Sequence, residues 1–402
     1  MKILQITPTY PPAWSYGGIT RVVYEITLQL CKRGHEVEVW TTDALDLHSR
    51  VKRVDVSSVK AGAKIRYFKN LSFVLTSMLN VHVTPRIFIS AERELHNFDI
   101  IHLHGARTFL NVAMYLFLKK NKIPYVLQAH GSLSRIGNWR KLKWIYDLFF
   151  GQRLLKDASK VIALSPIEAE QYRRMGVPEE KIAIIPNGID LSEYASLPPR
   201  GCFKKKFGIK EEEKIVLYLG RIHRGKGIDF LVKAYAYIIK EMKYSDVLLV
   251  IAGPDDGYLN EAKLLVNSLR ISDKVLFTGM LSEKEKIIAY VDSSIIVNVE
   301  PKNVFGLVPL EAAACSTPVI VCEGNAIKNI IHQGMFGFSV KYGDINELAE
   351  IMFKMLHDDK FLREMGQKGR KFVFENFDWV NVITKFENVY EKVCSCQRNK
   401  NL

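Results

Sequence analysis

The chain has 402 residues, 48% of them hydrophobic and 25% charged, which is typical of a globular protein of two or three domains and excludes an intrinsically disordered one. The net charge of +14 lies mostly in residues 1–200, where 28 Lys and Arg face 17 Asp and Glu. This excess favours an anionic partner but does not choose among nucleic acid, an acidic membrane and a phosphorylated substrate.

The sequence shows no targeting or disulfide pattern. Its apolar runs are too short to cross a bilayer, and Met1 to Ile6 lacks the apolar core of a secretory signal. The six cysteines have no CxxC pairing. We therefore expect a cytoplasmic protein with reduced thiols.

The first half of the chain alternates apolar strand patterns with helical patterns, which predicts α/β units around a parallel sheet. After a strand at Lys2 to Ile6, apolar residues recur at helical spacing from Gly18 to Leu30, and Gly34 then ends the helix. Four further strands are predicted at Glu36 to Thr41, Asp99 to Leu103, Tyr125 to Ala129 and Val161 to Leu164.

Three places in this half carry residues that suit a ligand site. Gly17 and Gly18 lie between the first strand and the first helix, where they permit either a ligand's approach or an ordinary tight turn. His130 ends a predicted strand, and ligands of parallel sheets bind at the carboxyl ends of strands. His102 and His104 share one strand face and are an alternative metal pair, without a further ligand cluster to support it.

The segment from Arg135 to Lys156 combines six basic residues and one acid with five aromatic residues. This composition is typical of an interfacial membrane helix, and equally of a helix packed on its own domain with lysines reaching into solvent. An anionic membrane surface is therefore a candidate partner, and peripheral attachment to the inner face of the membrane is a candidate location.

A composition shift separates the two halves. Leu191 to Phe207 contains Pro198-Pro199 and a basic cluster, which predicts a linker. Beyond it the α/β pattern starts again, with strands at Lys214 to Leu219, Val247 to Ala252, Val275 to Thr278, Ile295 to Val299 and Val319 to Val321, and helices at Ile228 to Lys240 and Leu259 to Leu269. A last helix over Trp379 to Val393 has an apolar stripe that must pack on other structure.

We therefore predict an α/β protein of two doubly wound, Rossmann-like domains facing a cleft. The predicted boundaries are an N-terminal domain at 1–195, a linker at 196–212, a C-terminal domain at 213–375 and a C-terminal helical segment at 376–402.

The segment Gly220-Arg-Ile-His-Arg-Gly-Lys-Gly227 follows a predicted strand and opens a helix. Its glycines permit close approach of the backbone, and Arg221 and Lys226 supply positive charge, which together favour a phosphate site. The segment is one residue short of the Walker pattern, because Gly227 stands where a Mg²⁺-binding hydroxyl is required. A glycine-rich turn with solvated cations is the alternative.

The stretch from Asn303 to Val321 places a turn, a helix start and a carboxylate together. A Phe-Gly turn at Phe305 and Gly306 leads into a helix with Pro309 near its first position, where free backbone N–H groups attract phosphate. Glu311 falls in the first turn. It either contacts a ligand there or only complements the helix dipole.

In this order and spacing, the motifs resemble the GT-B glycosyltransferases of family 4, which are retaining enzymes that use nucleotide-sugars. The similarity spans essentially the whole chain and includes Gly17-Gly18, Ala129-His130-Gly131, Pro186 to Asp190, Gly220-Arg221, Lys226-Gly227, Gly253-Pro254 and Phe305 to Ala312. It implies a GT-B fold with the acceptor side in the first domain, the donor side in the second and a last helix that returns to the first.

The resemblance also implies a role for each motif residue. Arg221 and Lys226 would bind the donor diphosphate and stabilise the leaving group, and His130 would contact the donor sugar near the reacting carbon. Glu311 would hold the ribose hydroxyls. The remaining donor contacts would come from Gly17, Gly18, Asn303, Phe305, Gly306, Leu307 and Val308.

One position departs from the family pattern. With Glu311 as the second glutamate of the family's E-x7-E signature, the first is replaced by Asn303, an amide that hydrogen-bonds a sugar hydroxyl without bringing charge. Glu300 lies nearby in the sequence. The chain has no D-x-D motif, which binds the metal-bridged diphosphate in the other major transferase fold, so we predict neither a cofactor nor a divalent metal.

The predicted function is retaining transfer of a sugar from a UDP- or GDP-sugar to a glycan or lipid-linked acceptor. A nucleotide-sugar epimerase of the same fold is the nearest alternative, and it would consume the donor without any acceptor. A basic nucleic-acid-binding protein is the second alternative, but we expect no nucleic-acid partner because no motif for one is present.

Overall fold

The computed structural model describes residues 1–46, 49–51, 57–60, 62–71, 82–134, 140–301 and 303–398. Internal contacts divide the chain into two compact units. The first unit is Met1–Gly188 together with Trp379–Leu402, and the second is Ile189–Asp378. Arg135 to Trp139, which begin the predicted basic and aromatic segment, lie outside the described residues.

The first unit is built on an eight-stranded sheet. Its strands are β1 Lys2–Ile6, β2 Glu36–Thr42, β3 Ser57–Lys60, β4 Ala63–Phe68, β5 Ile100–His104, β6 Tyr125–Gln128, β7 Lys160–Ala163 and β8 Ile182–Ile184. Their order is β3-β4-β2-β1-β5-β6-β7-β8, and every neighbouring pair is parallel except β3 with β4. β3 and β4 were not among the predicted strands, although Lys64 and Arg66 alternate with apolar residues along β4 as in a half-buried strand.

Helices cover this sheet and connect its strands. They are α1 Gly18–Lys32, α2 Arg86–Glu94, α3 Phe109–Lys120, α4 Arg140–Tyr146, α5 Gln152–Asp157 and α6 Pro166–Arg174, with a π-helical turn at Asp147–Gly151 that joins α4 to α5. Each parallel crossover places the carboxyl ends of the strands at one edge of the sheet. The loops that follow β1, β5 and β6 therefore share that edge.

The second unit contains a six-stranded, wholly parallel sheet. Its strands are β9 Lys214–Leu219, β10 Val247–Ala252, β11 Val275–Gly279, β12 Ile295–Asn298, β13 Val319–Cys322 and β14 Gly337–Val340, in the order β11-β10-β9-β12-β13-β14. β9 and β10 match the predicted strands to the residue. The two sheets confirm the predicted α/β architecture of two Rossmann-like domains.

The helices of the second unit complete its layers. They are α7 Cys202–Phe207, α8 Ile228–Lys240, α9 Leu259–Ser268, α10 Glu283–Asp292, α11 Val308–Ala314, α12 Lys328–Gly334, α13 Ile345–His357 and α14 Asp359–Asn376. The buried faces of α8 and α13 and the buried residues of β9, β10, β12, β13 and β14 belong to one continuous apolar core, and Val275, Leu276 and Phe277 of β11 pack against it.

The last helix, α15 Trp379–Arg398, packs on the first unit. All seven apolar residues of its predicted stripe are buried in that unit's core: Trp379, Val382, Ile383, Phe386, Val389, Tyr390 and Val393. Arg33 anchors the exposed side of the helix through Glu387 at 2.9 Å. The stripe thus has the packing partner that its spacing requires.

Residues 196–212, which composition indicates as a linker, are folded into the second unit. They contain α7, whose Phe203 is fully buried. The carboxylate of Asp292 accepts hydrogen bonds from the N–H groups of Gly201, Phe203 and Lys204 at 2.6, 2.7 and 3.0 Å and so caps the start of α7. Since that cap comes from almost a hundred residues away, the local composition does not reveal it.

Candidate active site

Two glycine contacts bring the strand-end loops of the second unit together. Gly227 has a φ of +73° at the start of α8, and a Cβ there would lie 2.4 Å from the carbonyl oxygen of Val299, just past β12. A Cβ on Gly253 would lie 1.8 Å from the oxygen of Gly220. Only glycine fits at either position, so the loops after β9, β10 and β12 are in direct backbone contact.

Lys226 lies in this cluster of loops and forms an ion pair with Glu300. Its Nζ is 2.8 Å from Glu300 Oε1, and the two side chains are 24% and 18% exposed. Glu300 Oε2 accepts a hydrogen bond from Asn303 Nδ2 at 2.9 Å, and Asn303 Oδ1 accepts one from the Phe305 N–H at 3.1 Å. Lys226, Glu300, Asn303 and the Phe305 backbone therefore form one continuous polar chain.

The polar chain gives hydrogen-bond or ion-pair partners to Glu300 and Asn303, two residues whose contacts the sequence did not predict. Glu300 had no predicted role, although an acid directly after an apolar strand was a usable signal. Asn303, which stands in place of a glutamate, orients Glu300 and the Phe305 backbone at once. The N–H of Phe305 is therefore already bonded, whereas those of Gly306, Leu307 and Val308 have no hydrogen-bond acceptor among the described residues.

Arg221, the second predicted cation, lies on a more open part of the same loops. Its Nη1 is 2.7 Å from Asp256 Oδ2, and the side chains are 65% and 40% exposed. An ion pair this exposed contributes little to stability. Both predicted cations thus pair with carboxylates, and an incoming anion would compete with Asp256 and Glu300 for them.

Glu311 is held within the first turn of α11. It is 7% exposed, and its Oε2 accepts a hydrogen bond from the Tyr290 hydroxyl at 2.7 Å. Burial, and next the negative charge of Glu311, raise the pKa of Tyr290 well above its usual range, so Tyr290 remains a donor. Glu311 Oε1 has no hydrogen bond within the described part of the chain, so it is available to a ligand hydroxyl.

In the first unit, Gly17 and Gly18 lie where the sequence predicts, between β1 and α1. Gly17 has a φ of +78°, a conformation that requires glycine, whereas Gly18 begins α1. A Cβ on either residue would meet no atom within 4 Å. The backbone conformation therefore explains why residue 17 is a glycine but does not explain the glycine at 18. No atom of the described residues occupies the space beside the Cα atom of either residue.

His130 follows β6 in a left-handed conformation with a φ of +52°, which is uncommon for a residue other than glycine. Its loop is held by hydrogen bonds from Ala129 N–H to the Tyr172 hydroxyl at 2.9 Å and from Gly131 N–H to Glu168 Oε1 at 2.5 Å. Burial lowers the pKa of His130 to about 3, so its imidazole is neutral. Sequence reasoning missed Glu168, whose pKa burial raises to about 7.

His102 and His104, the alternative metal pair, have protein partners instead. Nδ1 of His102 is 2.8 Å from the Tyr390 hydroxyl, and both ring nitrogens of His104 are hydrogen-bonded, to His130 and to Gln5. No group of three or more His, Cys, Asp and Glu side chains suited to a metal ion occurs among the residues that the structure describes.

Two protein-family models match the chain in sequence order. "Glycosyltransferase Family 4" matches residues 16–193 and "Glycosyl transferases group 1" matches residues 200–372. The first range contains Gly17, Gly18 and His130, and the second contains the polar chain of Lys226 and the helix of Glu311.

The chain is also similar to characterised proteins over nearly its whole length. It is 27% identical to N-acetyl-alpha-D-glucosaminyl L-malate synthase of Bacillus anthracis over 99% of each chain. It is 28% identical to alpha-monoglucosyldiacylglycerol synthase of Streptococcus pneumoniae over 94% of this chain and 83% of that protein. Anabaena Alr3699/HepE, solved in complex with UDP, shares the fold with a TM-score of 0.76 at 19% identity, covering 98% of this chain and all of the other.

The two matched ranges leave only residues 1–15, 194–199 and 373–402 outside them. The relatives match across both units rather than within one of them. The chain therefore belongs to family 4 of the glycosyltransferases, has the GT-B fold and is a glycosyl-transferring enzyme.

Proposed function

We propose that this enzyme moves a sugar from a UDP- or GDP-sugar to a glycan or lipid-linked acceptor, with retention at the anomeric carbon and without a bound metal. The observation that carries the proposal is the placement of Lys226 in a strand-end loop of the parallel sheet and of the free Oε1 of Glu311 in the first turn of α11, the helix that follows β12. In sheets of this kind, nucleotides bind beyond the carboxyl ends of the strands.

The chemistry accounts for the residue types present. When the bond from the anomeric carbon to the diphosphate breaks, the sugar gains oxocarbenium character and negative charge grows on the departing phosphate. Lys226 and Arg221 would bind that charge more tightly than they bind the ground state, which is the condition for catalysis. The N–H groups of Gly306, Leu307 and Val308 would add donors to the same phosphate.

The other predicted site residues hold the donor in place and do not stabilise the leaving group in this scheme. Glu311 Oε1 would accept from the ribose hydroxyls, and Asn303 would contact the sugar. We assign the sugar contact near the reacting carbon to His130, and contacts with the diphosphate to Gly17 and Gly18. None of these residues is proposed as a nucleophile, and attack from the face that the diphosphate leaves would account for retention.

The relatives support a nucleotide-sugar donor with a variable acceptor. One of them is named for a glucosaminyl malate product and another for a glucosyldiacylglycerol product, and one solved structure contains UDP. The two names imply acceptors of different size and polarity. We therefore propose the acceptor only as a glycan or a lipid-linked molecule.

The donor is tested by a thermal-shift panel of UDP-, GDP-, ADP- and CMP-sugars. A ligand at a hundred times its Kd adds about 2.7 kcal/mol to the free energy of unfolding, so one base should raise Tm by several degrees. Incubation of that donor without an acceptor then tests the epimerase alternative, which predicts conversion of the sugar. A panel in which no nucleotide-sugar raises Tm would overturn the proposal.

Turnover should continue in the presence of EDTA. The proposed leaving-group stabilisation uses the side-chain cations of Lys226 and Arg221, so removal of divalent ions should change the rate by less than about twofold. The measurement is the initial rate before and after chelation, followed by addition of Mg²⁺ or Mn²⁺. Loss of activity with EDTA and recovery with either ion would contradict the metal-free mechanism.

Glu300→Gln should raise the affinity for a free nucleoside diphosphate by about three- to tenfold. The exchange removes a negative charge that competes for Lys226, and a partly exposed pair of this kind is worth roughly 1 kcal/mol. Asn303→Ala should instead weaken nucleotide-sugar binding, because it removes the amide assigned to the sugar. Titration calorimetry with both ligands separates the two effects.

The matched control for Glu300→Gln is Glu283→Gln, an exposed acid at the start of α10 that pairs with Lys286. It removes the same charge from the same unit and should leave nucleotide affinity unchanged. Equal behaviour of the two variants would show that Glu300 does not compete for the ligand. Asn303→Ala with normal donor affinity and rate would remove the proposed sugar contact.

We also propose that the surface of α4, the π-helical turn and α5 binds an anionic membrane. Six large apolar side chains there are 42–59% exposed: Leu142, Trp144, Ile145, Leu148, Phe149 and Phe150. The segment's one acid, Asp147, is turned inward and forms a bidentate ion pair with Arg107 at 2.8 Å. The outward side thus combines apolar groups with lysines and without acids from 141 to 156, which suits a bilayer of anionic lipids.

We propose that this surface binds to one face of the membrane and does not cross it. Among the helices that the structure describes, none combines the length and hydropathy needed to cross a bilayer. The alternative of a helix packed on its own domain would require the large side chains to face inward. Their exposure instead favours an interfacial site, where lysines reach the lipid headgroups.

The double variant Trp144→Ser/Phe149→Ser should lower partitioning onto phosphatidylglycerol-containing vesicles by more than about tenfold. Each buried aromatic side chain contributes roughly 1.5–3 kcal/mol of transfer free energy. Leu264→Ser/Met280→Ser is the matched control, because both side chains are exposed on the second unit. Sedimentation that is absent for the unchanged protein, or equal for both variants, would refute the membrane surface.

A further inference from the structure

Three polar residues of the first unit form a hydrogen-bonded series that ends at His130. Gln5 lies on β1, His104 ends β5 and His130 follows β6, so the series crosses three neighbouring strands. His104 Nε2 lies 2.5 Å from Gln5 Oε1, and His104 Nδ1 lies 2.8 Å from His130 Nε2. Gln5 and His104 are both fully buried, so no water competes for these bonds.

Both imidazoles in the series are neutral. Burial lowers the pKa of His104 well below its ordinary value, and the neighbouring His102 and His130 lower it further. Burial alone lowers the pKa of His130 to about 3. A neutral imidazole has one N–H and one bare nitrogen, so each ring donates from one nitrogen and accepts at the other.

The protons can then be placed in sequence. The carbonyl oxygen of Gln5 only accepts, so His104 must carry its proton on Nε2. His104 Nδ1 is therefore bare and accepts, so the proton of His130 must be on Nε2. Nδ1 of His130 is left as a bare nitrogen with no partner within the series.

The orientation of the Gln5 amide sets this direction. Its oxygen is the atom that faces His104 Nε2. Its Nε2 is buried and has no hydrogen-bond partner among the described residues.

We propose that Gln5 and His104 are positioning residues that fix His130 as its Nε2–H tautomer, so that His130 offers a ligand a hydrogen-bond acceptor at Nδ1 and no donor. The consequence for the sugar rests on the proposed function: the group that meets His130 is a hydroxyl that donates. The left-handed backbone at His130, held through Tyr172 and Glu168, keeps the ring in place.

The tautomer can be measured without any donor. The ligand-free, full-length protein, labelled with ¹⁵N-histidine, is examined by long-range ¹H–¹⁵N correlation, and His130 is assigned from the signals lost in His130→Asn, since Asn tolerates a left-handed backbone. We expect a protonated Nε2 and a bare Nδ1 at His130 and at His104. A protonated Nδ1 on His130 would overturn the proposal.

Gln5→Met tests whether the amide imposes this direction. Methionine keeps the length of the side chain and removes the acceptor, so the preference for the Nε2–H tautomer of His130 should fall by roughly tenfold, the factor of about one net hydrogen bond. Gln128→Met is the matched control. Gln128 is a fully buried amide on β6, beside His104 in the register, and neither of its side-chain polar atoms has a partner in the described structure.

The expected result is a mixture of His130 tautomers in Gln5→Met and an unchanged tautomer in Gln128→Met. Equal spectra for the two variants would show that Gln5 has no such role. If Gln5→Met does not fold, the tautomers of His104 and His130 in the unchanged protein still decide the direction of the series.

An activity measurement joins this result to catalysis. With whichever nucleotide-sugar raises Tm in the panel, Gln5→Met should lower kcat/KM by several-fold, and Gln128→Met should not. If the spectra match the expectation but no nucleotide-sugar binds, the proposed function fails and the tautomer assignment stands. If donor binding is normal and the tautomer is the opposite one, only the positioning role fails.

Discussion

Lys226→Ala should lower turnover by about 10²-fold or more, which corresponds to the loss of one contact to the charge that develops on the leaving diphosphate. The ammonium group also neutralises Glu300 at 2.8 Å, so its removal leaves an unpaired carboxylate beside the diphosphate. Donor affinity should therefore fall together with the rate. The measurements are kcat at saturating donor and Kd for the same donor.

The matched control for this prediction is Lys233→Ala. Lys233 lies on α8 after the same loop, and its Nζ is 3.9 Å from Asp229 with 46% of the side chain exposed. The substitution Lys233→Ala removes the same charge, leaves the polar chain of Lys226 unchanged and should change the rate by less than about twofold. A near-normal kcat in Lys226→Ala would count heavily against leaving-group stabilisation by this residue.

The double variant Lys226→Ala/Glu300→Ala separates repulsion from catalysis. Removing both partners relieves the unpaired charge, so donor affinity should recover in part. The rate should stay low, because no cation remains to stabilise the leaving group at this point. Recovery of both affinity and rate would mean that Lys226 only neutralises Glu300.

Gly227→Ala should lower the free energy of unfolding by about 3 kcal/mol and greatly weaken donor binding. A left-handed backbone costs a residue with a Cβ about 1–2 kcal/mol, and the Cβ would meet the Val299 oxygen at 2.4 Å. That oxygen belongs to the backbone, so relief requires the loops of Lys226 and Glu300 to separate. Urea unfolding and donor titration measure the two effects.

Gly225→Ala is the matched control for Gly227→Ala, because it makes the same substitution two residues earlier in the same loop. Gly225 has no positive φ, and its nearest contact would be His223 Nδ1 at 3.4 Å, within ordinary van der Waals distance. This variant should change unfolding by less than about 1 kcal/mol. Comparable destabilisation of both variants would show that flexibility of the loop, rather than close backbone approach, requires its glycines.

Most regular elements of the fold follow from local patterns. β9, β10 and α8 agree with the prediction to the residue, because uninterrupted apolar strands and a helical stripe are short-range signals. β4 was missed although Lys64 and Arg66 alternate with apolar residues along it, which is the short-range pattern of a half-buried strand. The segment around α7 was assigned to a linker because its cap, Asp292, is remote in the sequence.

In the candidate site, too, local patterns predicted the functional residues but not their partners. Glycine spacing and the order of the motifs pointed to Lys226, Arg221, Glu311 and His130, and these residues occupy the predicted strand-end loops and helix turn. The partner of each functional group was not readable in advance, because side-chain pairing depends on the register of distant strands. Glu300 on Lys226 and Tyr290 on Glu311 are examples from the second unit.

The sequence alone therefore determined the two α/β domains with mainly parallel sheets, the family and the residue types that suit a diphosphate, since periodicity and short motifs depend on neighbouring residues. The tertiary structure alone decided that Asn303 is bonded to Glu300, that six apolar groups of the 142–150 segment face outward and that His104 is hydrogen-bonded to His130. These are consequences of packing, which brings together groups from separate strands and fixes their charge and hydrogen-bond direction by burial.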